Sequence, residues 1–393
     1  MSESHHRLRA AADRLADAGV TRVESFAWRD LGDPEGGGSE LHADQILRRW
    51  AAAGIDVVHH TSVPRRGGVA ATIERHGYTV IRSGGRFDVF ARVIARQLAR
   101  RTPSDTAVLE IWNGVPFLSP FWAGRRRVVW VHHLHRHMWA DVLPQPLAAA
   151  GRVVESRIAP LAYRKTRIAT LSDSSAEELA SVGLRSLTVI PPGIDGRFRP
   201  DESRRSASPS VVIVGRLAPV KRQRMALEAL ELARRHVPEL TVDLVGDGPD
   251  RPEIERWVSE HDASGWVRLL GFVDDDGLVG AYQRAWLVVS ASKAEGWGMS
   301  LTEAAACATP AVATDIAGHR GSALDGETGL LVDGPVAISE TVVELLADHA
   351  RRTAMGLAGV EHATGFGWDD VAARHLELLA SAVIGISGDE PES

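Results

Sequence analysis

The chain of 393 residues contains a single cysteine, Cys307. That excludes an internal disulfide framework and points to a reducing compartment. No apolar run is long enough to span a bilayer, and the first residues, Met1-Ser2-Glu3-Ser4-His5-His6-Arg7, lack the basic-then-apolar layout of a signal peptide. The expectation is a cytoplasmic protein, extended to one resting peripherally on the inner face of the membrane. No repeat recurs at a period of about 20–50 residues. Metal ligands are also scarce: His132, His133, His135 and His137 cluster after an apolar run, but no cysteine lies nearby and no acid lies close by until Asp141, so no zinc site is expected.

What remains is an ordinary soluble composition, 44% hydrophobic and 24% charged, in a chain long enough for two or three domains of about 150 residues. The net charge of −6 is divided unevenly, with 27 basic and 20 acidic residues in 1–197 against 18 and 31 in 198–393. A basic first half suits an anionic membrane or acceptor, although an excess of that size is weak evidence and a merely solvated surface is the favoured reading.

Both halves alternate short apolar runs with helical patterns. Strands are predicted at Arg22–Ala27, Ile55–His60, Tyr78–Arg82, Ala107–Trp112, Arg127–His132 and Arg167–Leu171. A second series runs through Val211–Val214, Thr241–Val245, Val267–Leu270, Trp286–Ser290, Ala311–Thr314 and Gly329–Val332. Strands separated by crossover helices imply parallel sheets covered on both faces. The polar stretch Arg199–Ser210 breaks the pattern after Pro191-Pro192-Gly193. The boundaries are therefore placed at 1–197 for a first domain, 198–367 for a second, and 368–393 for a last helix with a polar tail.

Three loops carry candidate chemistry. Gly36-Gly37-Gly38-Ser39-Glu40 leads into an amphipathic helix, and a strand, a glycine loop and a helix start together make an anion-binding geometry, although a glycine triplet also serves as a plain turn. Val214-Gly215-Arg216-Leu217-Ala218-Pro219-Val220-Lys221 puts two cations after a leading strand, where Arg216 and Lys221 suit a diphosphate. Glu295-Gly296-Trp297-Gly298-Met299-Ser300-Leu301-Thr302-Glu303 brackets another such loop with carboxylates, which phosphate does not attract but sugar hydroxyls do. Here Ser300-x-x-Glu303 also reads as a capping box. Phe87–Arg101 is a basic amphipathic helix, with Arg92, Arg96 and Arg100 in an i, i+4 stripe, that fits either anionic lipid or its own sheet. Gly246-Asp247-Gly248-Pro249 reads as a tight turn.

Taken in order, Gly-Gly-Ser-Glu at 37–40, His132-His133, Val-Ile-Pro-Pro-Gly-Ile-Asp at 189–195, Val-Gly-Arg-Leu-x-x-x-Lys at 214–221, Gly-Asp-Gly-Pro at 246–249, Glu-Gly-Trp-Gly-x-x-x-x-Glu-Ala at 295–304 and Gly-Glu-Thr-Gly-Leu-Leu-Val at 326–332 resemble the retaining glycosyltransferases of family four. The resemblance spans residues from about 22 to 385. It implies the α/β GT-B fold, with two Rossmann-like parallel-sheet domains facing across a cleft and the C-terminal helix packing back on the first. The implied activity is hexosyl transfer from a nucleotide-diphosphate sugar, a UDP or GDP sugar, to an acceptor hydroxyl on a lipid, an envelope glycan or a natural product.

The roles that follow are those of the resemblance. Glu295 would accept from sugar hydroxyls and Glu303 from the ribose. Arg216 and Lys221, with the amides of Met299, Ser300 and Leu301 and the approach of Gly37 and Gly38, would hold the diphosphate. Val273 would meet the base, and His132 would reach the transferred sugar as a catalytic group. The leaving phosphate would assist acceptor deprotonation, without cofactor, obligatory metal or nucleic acid. Glu295 as a nucleophile in a carboxylate pair is disfavoured. The chain departs from the family pattern at Pro192, at Arg222, at Arg320-Gly321 and at His133, so either His132 or His133 is the strand-end histidine that matters and Arg320 is a candidate selector of donor or acceptor. Alternatives are an epimerase or phosphorylase of the same fold, or a non-catalytic sugar-nucleotide-binding protein.

Overall fold

The computed structural model describes residues 3–33, 36–64, 70–132, 134, 139 and 144–388. His133 lies outside the described residues, as do His135 and His137. The chain divides into two compact units, Met1–Gly193 with Trp368–Ser393, and Ile194–Gly367.

In the first unit the strands are β1 (Arg22–Phe26), β2 (Asp56–Thr61), β3 (Thr72–Arg75), β4 (Tyr78–Arg82), β5 (Thr106–Ile111), β6 (Arg127–Trp130), β7 (Arg167–Thr170) and β8 (Leu187–Val189). They form one sheet in the order β3-β4-β2-β1-β5-β6-β7-β8. β5 and β6 are buried at every position, as strands covered on both faces must be. Two strands escape the sequence reading. β3 is a half-exposed edge strand that runs antiparallel to β4, joined to it by His76-Gly77 with both φ angles positive (48° and 88°), the handedness of a two-residue hairpin turn. β8 is only three residues long.

The sequence reading also passes over the helix Glu3–Asp17, whose buried Leu8, Ala11, Ala12 and Leu15 recur at helical spacing. It packs on the C-terminal helix Trp368–Gly388, where Arg7 reaches Asp370 at 2.6 Å and Glu377 at 2.7 Å. The same C-terminal helix takes Arg49 on Asp369 and receives the Trp50 indole N–H on the Ala372 carbonyl at 3.0 Å. These contacts tie the last helix to the first unit, as the resemblance implies.

The second unit is a parallel six-stranded sheet of β9 (Ser210–Val214), β10 (Thr241–Val245), β11 (Val267–Gly271), β12 (Leu287–Ser290), β13 (Ala311–Thr314) and β14 (Gly329–Val332), in the order β11-β10-β9-β12-β13-β14. The order reverses between β9 and β12, the point at whose carboxyl ends a doubly wound sheet binds ligands. In the first unit the same reversal falls between β1 and β5.

The division between the units lies at 193/194 rather than 197/198. Ile194 already belongs to the second unit, where its N–H donates to the Phe366 carbonyl and it bridges to Gly367. Gly193 is packed so tightly on the Trp368 ring that a Cβ would overlap it. Neighbouring chain crossings set the boundary, and the polar composition of 199–210 marks only a loop.

The helix Asp88–Arg100 is a sheet-packed helix. Val89, Phe90 and Val93 are buried, Arg92 pairs with Asp88 at 2.5 Å, and Arg100 pairs with the buried Glu24 at 3.0 Å. Two of its three stripe arginines are thus neutralised within the chain.

Candidate active site

At the reversal point of the second unit, the segment after β9 meets the segment after β12. The Lys293 N–H donates to the Val220 carbonyl at 2.7 Å and joins the two loops. Across this join the Lys221 ammonium pairs with Glu295 Oε1, which also accepts from the Ser292 hydroxyl at 2.8 Å. Lys221 ends a short 3-10 turn, Pro219–Lys221, and Arg222 follows in a left-handed conformation at φ 48°. The chain therefore turns sharply enough to point Lys221 back over the strand end. Gln223 bonds the Arg216 carbonyl at 2.7 Å and fixes the backbone there, while the Arg216 side chain is exposed. The structure thus brings three of the sequence candidates, Lys221, Glu295 and the Arg216 backbone, to one place.

The segment Gly246-Asp247-Gly248 is more than a tight turn. Gly246 and Gly248 have φ of 130° and 159°, and a Cβ on either would overlap the carbonyl oxygen of Gly215 or of Leu217. The Leu217 N–H donates to the Asp247 carbonyl at 3.0 Å. These glycines let the β10 loop press against the cation loop backbone to backbone.

The helix Met299–Ala306 starts at Gly298 with no side-chain cap. The capping-box reading of Ser300 and Glu303 is therefore overturned: Ser300 lies inside the first turn, and Glu303 Oε2 accepts from the Tyr282 hydroxyl at 2.9 Å. Burial pushes the Glu303 carboxyl up to about 7. The amides of Met299 and Leu301 donate to Trp297 O and Gly298 O, so the turn itself uses these two of the three amides expected to meet phosphate. Val273 is half-buried, and its neighbour Phe272 is 89% exposed beside it, after β11.

His319 is a residue the sequence reading missed. It is fully buried, with Nδ1 2.8 Å from the Thr314 carbonyl and Nε2 3.3 Å from the Ser290 hydroxyl, and burial lowers its pKa. A neutral ring donating from Nδ1 satisfies both contacts. It packs beneath Gly298, whose Cβ would lie 3.1 Å from His319 Cδ2, and so supports the carboxylate loop from below. Nothing in its sequence surroundings distinguishes it from a core histidine. Arg320, the proposed selector, is held on Asp315 by two contacts of 2.6 and 3.1 Å at the surface.

In the first unit the helix Gly38–Ala52 begins at Gly37, as expected. The Gly37 N–H donates to Glu40 Oε2 at 2.7 Å. Asn113, at the end of β5, donates to the Ser39 hydroxyl at 3.0 Å and closes the reversal point of this sheet around the glycine loop; its distance in sequence hides it. His132, two residues past β6, is 5% exposed and lies edge-on to His42 at 5.2 Å between ring centroids. His42 in turn packs against His375 of the C-terminal helix at 5.3 Å. Burial holds His42 and His375 well below the ordinary imidazole value, so both rings are neutral neighbours of His132. Among the described residues no group of histidine, cysteine, aspartate or glutamate side chains is arranged to hold a metal ion.

Comparison with known proteins bears on the family and the fold. Residues 36–198 match the family described as Glycosyltransferase Family 4, and residues 196–362 match Glycosyl transferases group 1. The chain is 30% identical over 335 residues to a GDP-mannose-dependent alpha-(1-6)-phosphatidylinositol monomannoside mannosyltransferase of Mycolicibacterium smegmatis, covering 78% of this chain and 85% of that protein. It is 27% identical to a D-inositol 3-phosphate glycosyltransferase of Streptomyces bingchenggensis, over 97% of this chain and 92% of the relative. Among solved structures, a sucrose-phosphate synthase from Thermosynechococcus elongatus superposes with a TM-score of 0.75 at 22% identity, covering 90% of this chain and 97% of that one. WaaG, a glycosyltransferase involved in lipopolysaccharide biosynthesis, superposes at 0.71 and 16% identity, covering 93% and 100%. These two likenesses bear on the fold alone. With both halves matched in order, and with a relative 30% identical over most of both chains, the chain belongs to glycosyltransferase family four and is a hexosyltransferase of the GT-B fold.

Proposed function

We propose that the chain is a retaining hexosyltransferase that takes its sugar from a GDP or UDP hexose and delivers it to a hydroxyl of a polyol or lipid-borne acceptor, with a peripheral position on an anionic membrane. The observation that carries the reading is the Lys221–Glu295–Ser292 cluster at the carboxyl ends of β9 and β12, where a cation and a hydroxyl-accepting carboxylate stand side by side. A diphosphate sugar needs both. Two relatives support the acceptor class, since each is named for an acceptor that contains inositol.

In this reading Lys221 and Arg216 neutralise the diphosphate, and their charge counts most as the glycosidic bond breaks and negative charge grows on the leaving oxygen. That oxygen takes the acceptor proton on the face it leaves, which keeps the anomeric configuration. Glu295, already held by Lys221 and Ser292, accepts from sugar hydroxyls. Glu303, held by the buried Tyr282 hydroxyl, meets the ribose, and the exposed Phe272 beside Val273 offers a ring to the base. His132 acts on the transferred sugar. The groups are this chain's own, and the reading requires no metal.

A calorimetric screen of nucleoside diphosphates and their sugars tests the reading. One diphosphate is expected to bind well above the rest, and Arg216→Ala with Lys221→Ala should weaken it. A chain that binds no nucleoside diphosphate, or a double variant that binds unchanged, would overturn it. For His132→Ala, kcat is expected to fall by roughly 10²–10⁴ while donor affinity changes little. An equal loss of both would reduce His132 to a binding residue.

The Glu303 carboxyl gives a pH signature. A carboxyl raised to about 7 is largely protonated at pH 6, when it cannot accept from two ribose hydroxyls, and largely ionised at pH 8. Nucleotide affinity should therefore rise with pH, by roughly tenfold across that window. Glu303→Gln should flatten the profile, and a variant that keeps the slope assigns it to another group.

A further inference from the structure

The two carboxylate oxygens of Glu295 are not equivalent. Oε1 accepts from both the Lys221 ammonium and the Ser292 hydroxyl, the latter at 2.8 Å, while Oε2 has no partner among the described residues. A diphosphate that draws Lys221 away leaves Ser292 as the remaining hold on Oε1. The aim of Oε2 then depends on what holds Ser292.

Two routes lead from the buried Ser292 to one ring, His319. The first runs through hydroxyls: Ser292 Oγ lies 3.3 Å from Ser290 Oγ, which lies 3.3 Å from His319 Nε2. The second runs through the end of β13, where the Thr314 hydroxyl donates to the Ser292 carbonyl at 2.7 Å and the Thr314 carbonyl faces His319 Nδ1 at 2.8 Å.

The proton count gives each group on the first route a settled direction. The Nδ1 proton goes to the Thr314 carbonyl, so the neutral ring offers Nε2 as an acceptor. Burial, joined by Lys221, lowers the pKa of this ring against the opposing pull of the Thr314 carbonyl, Glu295 and Asp315. Ser292 has a single hydroxyl proton, and the carboxylate takes it. The single proton of Ser290 is then left for His319 Nε2.

The backbone that carries His319 is fitted to the same carboxylate. A Cβ on Gly318 would lie 2.1 Å from the Glu295 carbonyl oxygen, and the Gly298 N–H donates to the Gly318 carbonyl at 3.0 Å. The ring therefore reaches Glu295 by hydroxyls from one side while its own segment presses on the Glu295 backbone.

We propose that His319 is the positioning residue of the sugar-recognising carboxylate: through Ser290 and Thr314 it holds Ser292, Ser292 holds Glu295 Oε1, and Oε2 is thereby presented to the hydroxyls of the donor hexose. The assignment rests on the transferase reading above and divides the donor in two. Arg216 and Lys221 serve the diphosphate, and the path from His319 serves the hexose alone.

Calorimetry of the full chain with GDP and UDP, each free and as its mannose and glucose conjugates, tests the division. For the base that binds, Ser290→Ala should weaken the hexose conjugate by about tenfold and leave the free diphosphate unchanged. His319→Asn, which keeps a donor for Thr314 and loses Nε2, should do the same. Unchanged diphosphate binding also shows that both variants fold. Glu295→Ala should lose at least as much as either, and adding Ser290→Ala to it should lose nothing further, because a residue that acts through Glu295 has no effect once Glu295 is gone. Variants that bind the conjugate as the parent does would overturn the assignment. So would losses at Ser290 and Glu295 that add, or an equal weakening of diphosphate and conjugate, which marks a loosened loop. A parent that binds neither diphosphate refutes the transferase reading and this assignment with it, whereas a parent that binds one, with variants that keep its conjugate, refutes the assignment alone.

Discussion

Lys221→Ala is expected to lower kcat/KM for the donor by roughly 10²–10³-fold, the usual effect of removing one preorganised group that stabilises developing negative charge. Steady-state kinetics at saturating acceptor checks it. The ion pair with Glu295 complicates a single variant: the Lys and Glu side chains are 27% and 14% exposed, and removing the cation leaves a carboxylate with only the Ser292 hydroxyl. Such an orphaned charge lowers stability in its own right. The double variant Lys221→Ala, Glu295→Gln separates the two effects. It should recover thermal stability and no activity. Recovery of activity would mean that Lys221 serves to hold the loop and not the diphosphate.

Gly246→Ala should cost about 3 kcal/mol or more, because it adds a left-side φ penalty to a backbone overlap with Gly215 that no rotamer relieves. For a unit of this size that corresponds to a fall in melting temperature of about 10 °C, measurable by calorimetry. Gly326→Ala is the control. Its φ is 78°, but a Cβ there meets nothing within 4 Å, so about 1 kcal/mol is expected. If both variants lose the same stability, the close approach of the β10 loop to the cation loop contributes nothing. If Gly246→Ala also weakens nucleotide binding far more than Gly326→Ala, the approach shapes the site as well.

Most of the architecture was legible along the chain. Strands buried on both faces appear as short unbroken apolar runs, and all twelve predicted runs became strands with no end shifted by more than two residues. β3 and β8 escaped because a half-exposed four-residue edge and a three-residue strand bury too little to leave a pattern. The helix Glu3–Asp17 showed its spacing in Leu8, Ala11, Ala12 and Leu15, but its packing partner lies more than 350 residues away. The site was legible in part. Glycine loops and paired charges announce themselves locally, since a left-handed turn demands glycine and a cation after a strand has few structural uses.

What the sequence determined by itself was the parallel α/β class, the place of the glycine loops and the residue types that stand on them. All of these depend on neighbours within a few positions. Tertiary structure alone decided which of those residues meet. It put Lys221 on Glu295, moved Glu303 from a helix cap to Tyr282, set His319 under Gly298, and packed the basic helix Asp88–Arg100 with its apolar side buried. The physical reason is that strand order and helix rotation are chosen by burial over the whole unit. A side chain's partner is set by that choice and not by its own surroundings in the chain.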